Sequence, residues 1–146
     1  MTRFFFVRHA KAEPKHPDGD AARRITRDGR TRFAAHARAL AADLALSRIV
    51  ASPFARARDT ADLLAAATGA GVEEDSALAS GASSGRDLLR LGERLGAGVA
   101  LVGHNPEIAE AIALAAGKDL DVPPGAVAAV DAEDAGFQLA WLRAPG

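Results

Sequence analysis

The sequence predicts a three-layer α/β/α domain with a mostly parallel sheet and an antiparallel hairpin at its C-terminal edge. Three observations lead there. Short unbroken apolar runs, Phe4-Phe5-Phe6-Val7, Ile49-Val50-Ala51 and Val99-Ala100-Leu101-Val102, lack the alternation of a half-exposed strand. They read as strands buried on both faces. Segments of helical periodicity separate these runs, so the strands need crossover connections and lie parallel, with helices over both faces. The chain closes on two strand-like runs, 127–131 and 137–142, around a turn at 132–136.

Taken in order, the first strand ends in Arg8-His9, and residues 11–24, with Pro14, Pro17 and Gly19, read as a loop over its carboxyl end. Thr26 is a suitable N-cap, with Asp28 in the positive first turn. Phe33, Ala37, Leu40 and Leu44 then fall on one helical face, with Arg30, Arg38 and Asp43 elsewhere. After the second strand, Ser52 is expected as N-cap and Pro53 at the first helical position of a helix over 54–67, which stops at Thr68-Gly69. Residues 72–78 read as a weak strand or extended segment, and 79–85 as a loop of small residues. A helix over 86–95 packs through Leu88, Leu91 and Leu95. The third strand ends in Gly103-His104. Asn105 is expected as N-cap, Pro106 at the first position and Glu107 in the first turn of a helix to about 116, where Glu107 serves the helix dipole. Pro123-Pro124-Gly125 marks a turn. No repeat, linker or composition break divides the chain, so residues 1–146 read as one domain.

Composition narrows the function. The 18 Lys+Arg and 19 Asp+Glu give a net charge of −1, which offers no global field for nucleic acid or an anionic membrane. An anion site must therefore be local. The absence of cysteine excludes thiolate chemistry and suits a reducing cytoplasm. The apolar run after Met1-Thr2-Arg3 is too short for a signal peptide, and no stretch is long enough to span a membrane. Neither G-x-G-x-x-G nor a P-loop is present, and no His and carboxylates have metal-ligand spacing, so neither a cofactor nor a metal is expected. Nothing in the sequence speaks to oligomeric state.

The informative residues lie at three strand-to-helix junctions: Arg8-His9, Ser52-Pro53 leading to Arg56, and His104-Asn105. Parallel strands align their carboxyl ends along one edge, so the junctions should converge. Two imidazoles and two guanidiniums beside helix N-termini suit a phosphate dianion. Asn105 reads more readily as a cap than as a ligand. His16 reads as a loop residue, His36 as a helix-surface residue and Arg58 as a solvated cation.

These junctions resemble the hallmarks of the histidine phosphatase superfamily, whose fold is phosphoglycerate-mutase-like. Val7-Arg8-His9-Ala10 resembles its first motif, and 52–61, read as S-P-x-x-R-A-x-x-T-A, its second. Val102-Gly103-His104-Asn105-Pro106-Glu107 is similar to the third. The resemblance implies that His9 is the nucleophile, carrying the phosphoryl group as a phosphohistidine that water then hydrolyses. It implies that Arg8, Arg56 and His104 hold the equatorial oxygens. The short chain and the segment from Asp20 to Gly29, similar to D-x-x-R-x-L-T-x-x-G with Ile25 in place of Leu, point to the small branch resembling the bacterial phosphohistidine phosphatase SixA. This branch adds Asp20, Arg23 and Asn105 as residues about the substrate. The chain departs from larger members at the proton donor, having no carboxylate between Asp75 and Asp87. A phosphoramidate tolerates that loss better than an alkyl phosphate, because imidazole is the better leaving group. With no long insert there, an open site is expected, suited to phosphohistidine displayed on another protein. Two alternatives stand beside it: a small-molecule phosphomonoesterase of the same fold and a non-catalytic phosphate-binding regulatory module. If a proton donor exists, Asp20 and Glu13 are the first candidates.

Overall fold

A computed structural model describes residues 1–146. Six strands form one sheet: β1 (Thr2–Arg8), β2 (Arg48–Ala51), β3 (Gly71–Glu74), β4 (Val99–Gly103), β5 (Val127–Glu133) and β6 (Gly136–Arg143). Their order is β3-β2-β4-β1-β5-β6. The first four are mutually parallel, whereas β5 runs antiparallel to β1 and β6 antiparallel to β5 at the edge. Four helices cover the sheet: α1 (Arg27–Leu44), α2 (Ala55–Thr68), α3 (Gly85–Leu95) and α4 (Glu107–Ala116).

The period-two alternation of strand side chains divides the core into two layers. Phe4, Phe6, Val99, Leu101, Ala128 and Val130 face one side, together with the apolar faces of α3 and α4. Phe5, Val7, Ala100, Val102, Val127 and Ala129 face the other with those of α1 and α2. Burial on both faces is why β1 carries no polar residue between Arg3 and Arg8. Phe4 and Phe6 meet edge to face, with centroids 5.6 Å apart. Gly92 of α3 lies against the Phe4 ring so closely that a methyl group there would overlap it.

Several local expectations are corrected. The strand expected over 72–78 stops at Glu74, because Asp75 accepts a hydrogen bond from the Ala77 amide at 2.9 Å and turns the chain into a 3-10 turn, Ser76–Leu78. The helix expected from 54 begins at Ala55 with Phe54 at its cap, and Ser52 does not cap it. The helix after β4 begins at Glu107 with Pro106 at the cap position. Asn105 still covers a free donor, since its Oδ1 accepts from the Ala109 amide at 3.2 Å. Ser84 and Asp87 form a reciprocal capping box at the start of α3, one residue before the expected helix. Thr26 caps α1 as expected, accepting from the Gly29 amide at 2.9 Å. His36 is half-buried and lies 3.2 Å from the Arg143 carbonyl, not free on the helix surface.

The loop over the end of β1 is fastened at its far end. Ala12 bridges Ile25, and the buried carboxylate of Asp59 on α2 accepts from Arg24 Nε and Nη2 at 2.8 and 2.6 Å and from the Ile25 amide at 3.3 Å. Asp59 thus holds the base of the segment carrying Asp20 and Arg23.

Candidate active site

The carboxyl ends of β1, β2 and β4 lie side by side, with Val7 opposite Val102 and Ala51 opposite Val102 in register. The residues that follow these ends, His9, Ser52 and His104, are therefore brought together. The His9 amide donates to the Gly103 carbonyl at 3.0 Å, and the Ser52 amide donates to the Val102 carbonyl at 2.9 Å. The Gly125 amide is shared between the carbonyls of Arg8 and His9, at 3.1 and 3.0 Å. The backbone under both site residues of β1 is thereby locked.

His9 and His104 face each other with ring centroids 5.2 Å apart. His9 Nδ1 lies 2.7 Å from the Ala10 carbonyl oxygen. A carbonyl only accepts, so Nδ1 carries the proton and Nε2 of the neutral ring holds the lone pair. The Ala10 amide donates to Thr60 Oγ1 at 2.9 Å, and that hydroxyl donates to the Arg56 carbonyl at 2.8 Å, which fixes the carbonyl that orients His9. Burial pushes His9 down to about 4, with Arg56, Arg8 and Arg23 near enough to push the same way. His104 is pushed down to about 3, first by burial and then by His9 and Arg56. Both rings are neutral at neutral pH.

His104 Nε2 lies 2.8 Å from Ser52 Oγ, which also accepts from the Phe54 amide at 3.1 Å. Phe54 packs edge-on against His104, with centroids 5.1 Å apart, and the Arg56 guanidinium sits 5.2 Å from the centre of the same ring. Arg56 is buried, at 4% exposure. Its Nη1 donates to the Asp20 main-chain oxygen at 2.7 Å and its Nη2 to Asp20 Oδ2 at 3.1 Å. Asp20 Oδ1 accepts from Arg23 Nη1 at 2.9 Å, and Arg23 Nε donates to the Glu13 carbonyl at 2.7 Å. Arg23 and then Arg56 hold the Asp20 carboxyl below the usual carboxylate range. Arg8 Nη1 donates to the Val122 carbonyl at 2.9 Å, and Asn105 Nδ2 donates to the same oxygen at 3.1 Å.

Arg8, His9, Arg56 and His104 thus meet at one sheet edge. Asp20 and Arg23 reach them from the loop, and Asn105 braces the Val122 carbonyl beside Arg8. Three buried nitrogens have no hydrogen-bond partner: Arg8 Nε, Arg56 Nε and His104 Nδ1. Buried polar atoms are rarely left unpaired, and three in one cluster make a cradle suited to an oxyanion. Sequence reasoning missed two residues. Ser52 partners His104 instead of capping a helix, and Asp59 stands at an unconstrained position of the second motif with only its charge inside a helical apolar face as a signal.

No curated protein sequence matches the chain. Among solved structures, a protein from Agrobacterium tumefaciens assigned as the phosphohistidine phosphatase SixA is 25% identical, with 99% of this chain and 98% of that one aligned at a TM-score of 0.86. The protein histidine phosphatase SixA complexed with tungstate is 20% identical, over 98% and 97% of the two chains, with a TM-score of 0.83. A mycobacterial glucosyl-3-phosphoglycerate phosphatase, complexed with VO3, is 17% identical over 97% and 98%, with a TM-score of 0.72. The latter two share the fold. A family model, histidine phosphatase superfamily (branch 1), matches residues 4–86. That match spans more than half of the chain and takes in two of the three polar junctions, so the protein is a phosphatase belonging to the histidine phosphatase superfamily, branch 1.

Proposed function

We propose that this phosphatase hydrolyses phosphohistidine on a protein partner, carrying the phosphoryl group on His9 Nε2, and that residues 1–146 act as one catalytic domain in the cytoplasm. The observation that carries the mechanism is the His9 Nδ1–Ala10 carbonyl bond at 2.7 Å. It leaves the Nε2 lone pair free in a ring whose depressed pKa keeps it neutral.

In the first step the Nε2 lone pair attacks phosphorus. The P–N bond to the substrate imidazole breaks, and the departing nitrogen takes a proton from water. The phosphorylated His9 ring is cationic, and its Nδ1–H bond to the Ala10 carbonyl stabilises that charge. In the second step water attacks the same phosphorus, the P–Nε2 bond breaks, a proton is released, and phosphate and neutral His9 are regenerated. Arg8, Arg56 and His104 bind the equatorial oxygens, where charge must be held through both transition states. If the Ser52 hydroxyl donates to His104 Nε2, His104 Nδ1–H is turned out as a donor for one of those oxygens. Arg23 and Asp20 frame the pocket, and Asn105 fixes the carbonyl that holds Arg8.

The substrate class follows from the missing acid. The loop that begins at Ala79 holds no carboxylate before Asp87, and Asp20 is kept ionised by two arginines, so neither can protonate an alkoxide. An imidazole leaving group needs that help least. The likeness to SixA supports the same class. Steady-state assays comparing a phosphohistidine peptide, an aryl phosphate and sugar phosphates test it. The expected order is peptide first and sugar phosphates last. A sugar phosphate turned over as fast as the peptide would make the protein a small-molecule phosphomonoesterase, and no turnover of any would make it a phosphate-binding module.

A further inference from the structure

We infer that Asp59, one turn beyond Arg56 on α2, is a positioning residue for the phosphoryl site. Its clamp on the Arg24–Ile25 end of the 10–26 loop sets how firmly Asp20 holds Arg56 against an incoming phosphoryl group. This rests on Arg56 as a phosphoryl ligand, proposed above, and adds the residue that sets its availability.

One face of α2 grips the loop along its length. Asp59 and Thr60 follow Arg56 by three and four positions, so all three project from the same side of the helix. Thr60 accepts from the Ala10 amide at the start of the loop, and Arg56 donates to Asp20 in its middle. Asp59 takes the end. Its carboxylate accepts from Arg24 Nε and Nη2 and from the Ile25 amide, with Arg30 Nη2 3.9 Å away. The Asp59 side chain is 6% exposed, whereas that of Arg24 is 59% exposed. A buried carboxylate held by a guanidinium fork and a main-chain N–H is fixed in direction as well as in distance.

Between these holds the loop is bonded to itself. Glu13 and Arg24 close its neck, the Glu13 amide donating to the Arg24 carbonyl and the Arg24 amide to Glu13 Oε1, both at 2.9 Å. At the tip, the Asp18 and Gly19 amides donate to His16. The Asp20 side chain is 58% exposed, and an ion pair so open to water holds weakly by itself. It gains strength when its partner is already in place, as if at high local concentration. Asp59 supplies that placement by fixing the neck.

The consequence is competition at Arg56. Both of its terminal nitrogens donate to Asp20, so a phosphoryl group must displace a carboxylate that the neck returns. Arg23 reaches Arg56 only through Asp20, which makes the anion the nearer of the two loop charges. Loosening the clamp therefore frees Arg56 and tightens the binding of a phosphate dianion.

Two substitutions of opposite charge test this. Asp59→Asn removes an anion, and Arg24→Gln removes a cation from the solvent side of the same clamp. Each should lower the Ki of inorganic phosphate against p-nitrophenyl phosphate by about threefold, with KM falling alongside and kcat kept within about twofold. In an Asp20→Asn background neither should lower Ki further, because the carboxylate they position is gone. Arg24 is exposed, so Arg24→Gln carries the test even where Asp59→Asn fails to fold. A higher Ki in Arg24→Gln would mean that charge acts through space, and would overturn the inference. So would an unchanged Ki in both variants, since a purely structural Asp59 moves Tm alone. Arg56→Gln separates the underlying reading. An unchanged Ki there would overturn Arg56 as a ligand and the positioning role with it. A raised Ki there, beside unmoved values in Asp59→Asn and Arg24→Gln, would overturn the positioning role alone.

Discussion

Asp20 occupies both terminal nitrogens of Arg56, through its main-chain oxygen at 2.7 Å and its carboxylate at 3.1 Å. One cation of the candidate site is thus already neutralised by an anion from its own chain. A phosphoryl group entering the cradle meets Arg56 with its charge partly answered, and the nearby carboxylate repels it. Such an arrangement favours release of inorganic phosphate over its retention.

Asp20→Asn separates these effects. The main-chain bond to Arg56 survives and the single amide oxygen can accept from one of the two arginines, so the charge is removed at the cost of the contact to the other. Inorganic phosphate should inhibit the variant with a Ki about three- to tenfold lower, the size expected when one like charge leaves a partly exposed site. Competitive inhibition assays read this directly. An unchanged Ki with a collapse of turnover confined to basic leaving groups would instead make Asp20 the proton donor.

His9 should titrate far below an ordinary histidine. Its folded pKa is about 4 against 6.5 for the free side chain, so the folded state excludes a proton that the unfolded chain accepts. The unfolded state then binds more protons between these values, and stability rises with pH across that window. The His9 contribution is fully present above pH 6.5 and is lost as pH falls toward 4. His104, displaced to about 3, adds an equal slope over the same window and extends the loss further into acid. NMR titration of the His9 ring should give a midpoint near 4, and the rise of Tm with pH between 4 and 6.5 should be shallower in His9→Gln, with the His104 share remaining. A midpoint near 6.5 would mean that the ring is hydrated and not buried.

Gly92→Ala tests the packing that sets β1. A methyl group at position 92 would overlap the ring of Phe4, which is fully buried and wedged against Phe6. Overpacking at a site that cannot yield costs about 1–3 kcal/mol, a fall in Tm of roughly 3–10 °C for a domain of this size. Because α3 lies on the face away from α2 and the 9–26 loop, kcat on p-nitrophenyl phosphate should be kept well below the new Tm. An unchanged Tm would mean that α3 slides freely on the sheet.

The sheet and the convergence of Arg8, His9, Arg56 and His104 at its edge were legible because both follow from short-range pattern. Apolar runs named the strands, and Arg8, His9 and His104 stand immediately beyond their ends. Arg56 was legible through its place in the second motif. Pairings set by the folded loop left no such trace. Asp20 reaches Arg56 across 36 positions, and nothing in its own neighbourhood says that it faces a guanidinium rather than water. Asp59 looks like any charge on α2 until the loop folds onto it. Ser52 misled for a physical reason. A serine before a proline suits a helix cap, but the cap falls two residues later, at Phe54, and the hydroxyl was free to meet His104 instead. The weak strand or extended segment expected over 72–78 is present to Glu74 and ends early for a similar reason, since Asp75 reads as a mere interruption but acts as a turn.

The phosphoenzyme is the strictest test of the mechanism. If His9 Nε2 attacks phosphorus, every turnover passes through an N-phosphorylated ring. Rapid quenching with labelled substrate should trap a phosphoryl group stable in base and lost in acid, and His9→Ala should abolish it. Arg8, Arg56 and His104 remain in that variant, so it should still bind inorganic phosphate, which separates loss of the nucleophile from loss of the cradle. With no carboxylate in the loop that begins at Ala79 and with Asp20 held ionised, the departing atom depends on water for its proton. The rate of phosphoenzyme formation should therefore fall steeply with leaving-group basicity, by about tenfold or more between an aryl phosphate and an alkyl phosphate. Equal rates across the series, with formation rate-limiting, would require a donor, and Glu13→Gln and Asp20→Asn would then identify it. Full activity in His9→Ala would remove the covalent route altogether, leaving direct attack by water on a phosphoryl group held by the two arginines.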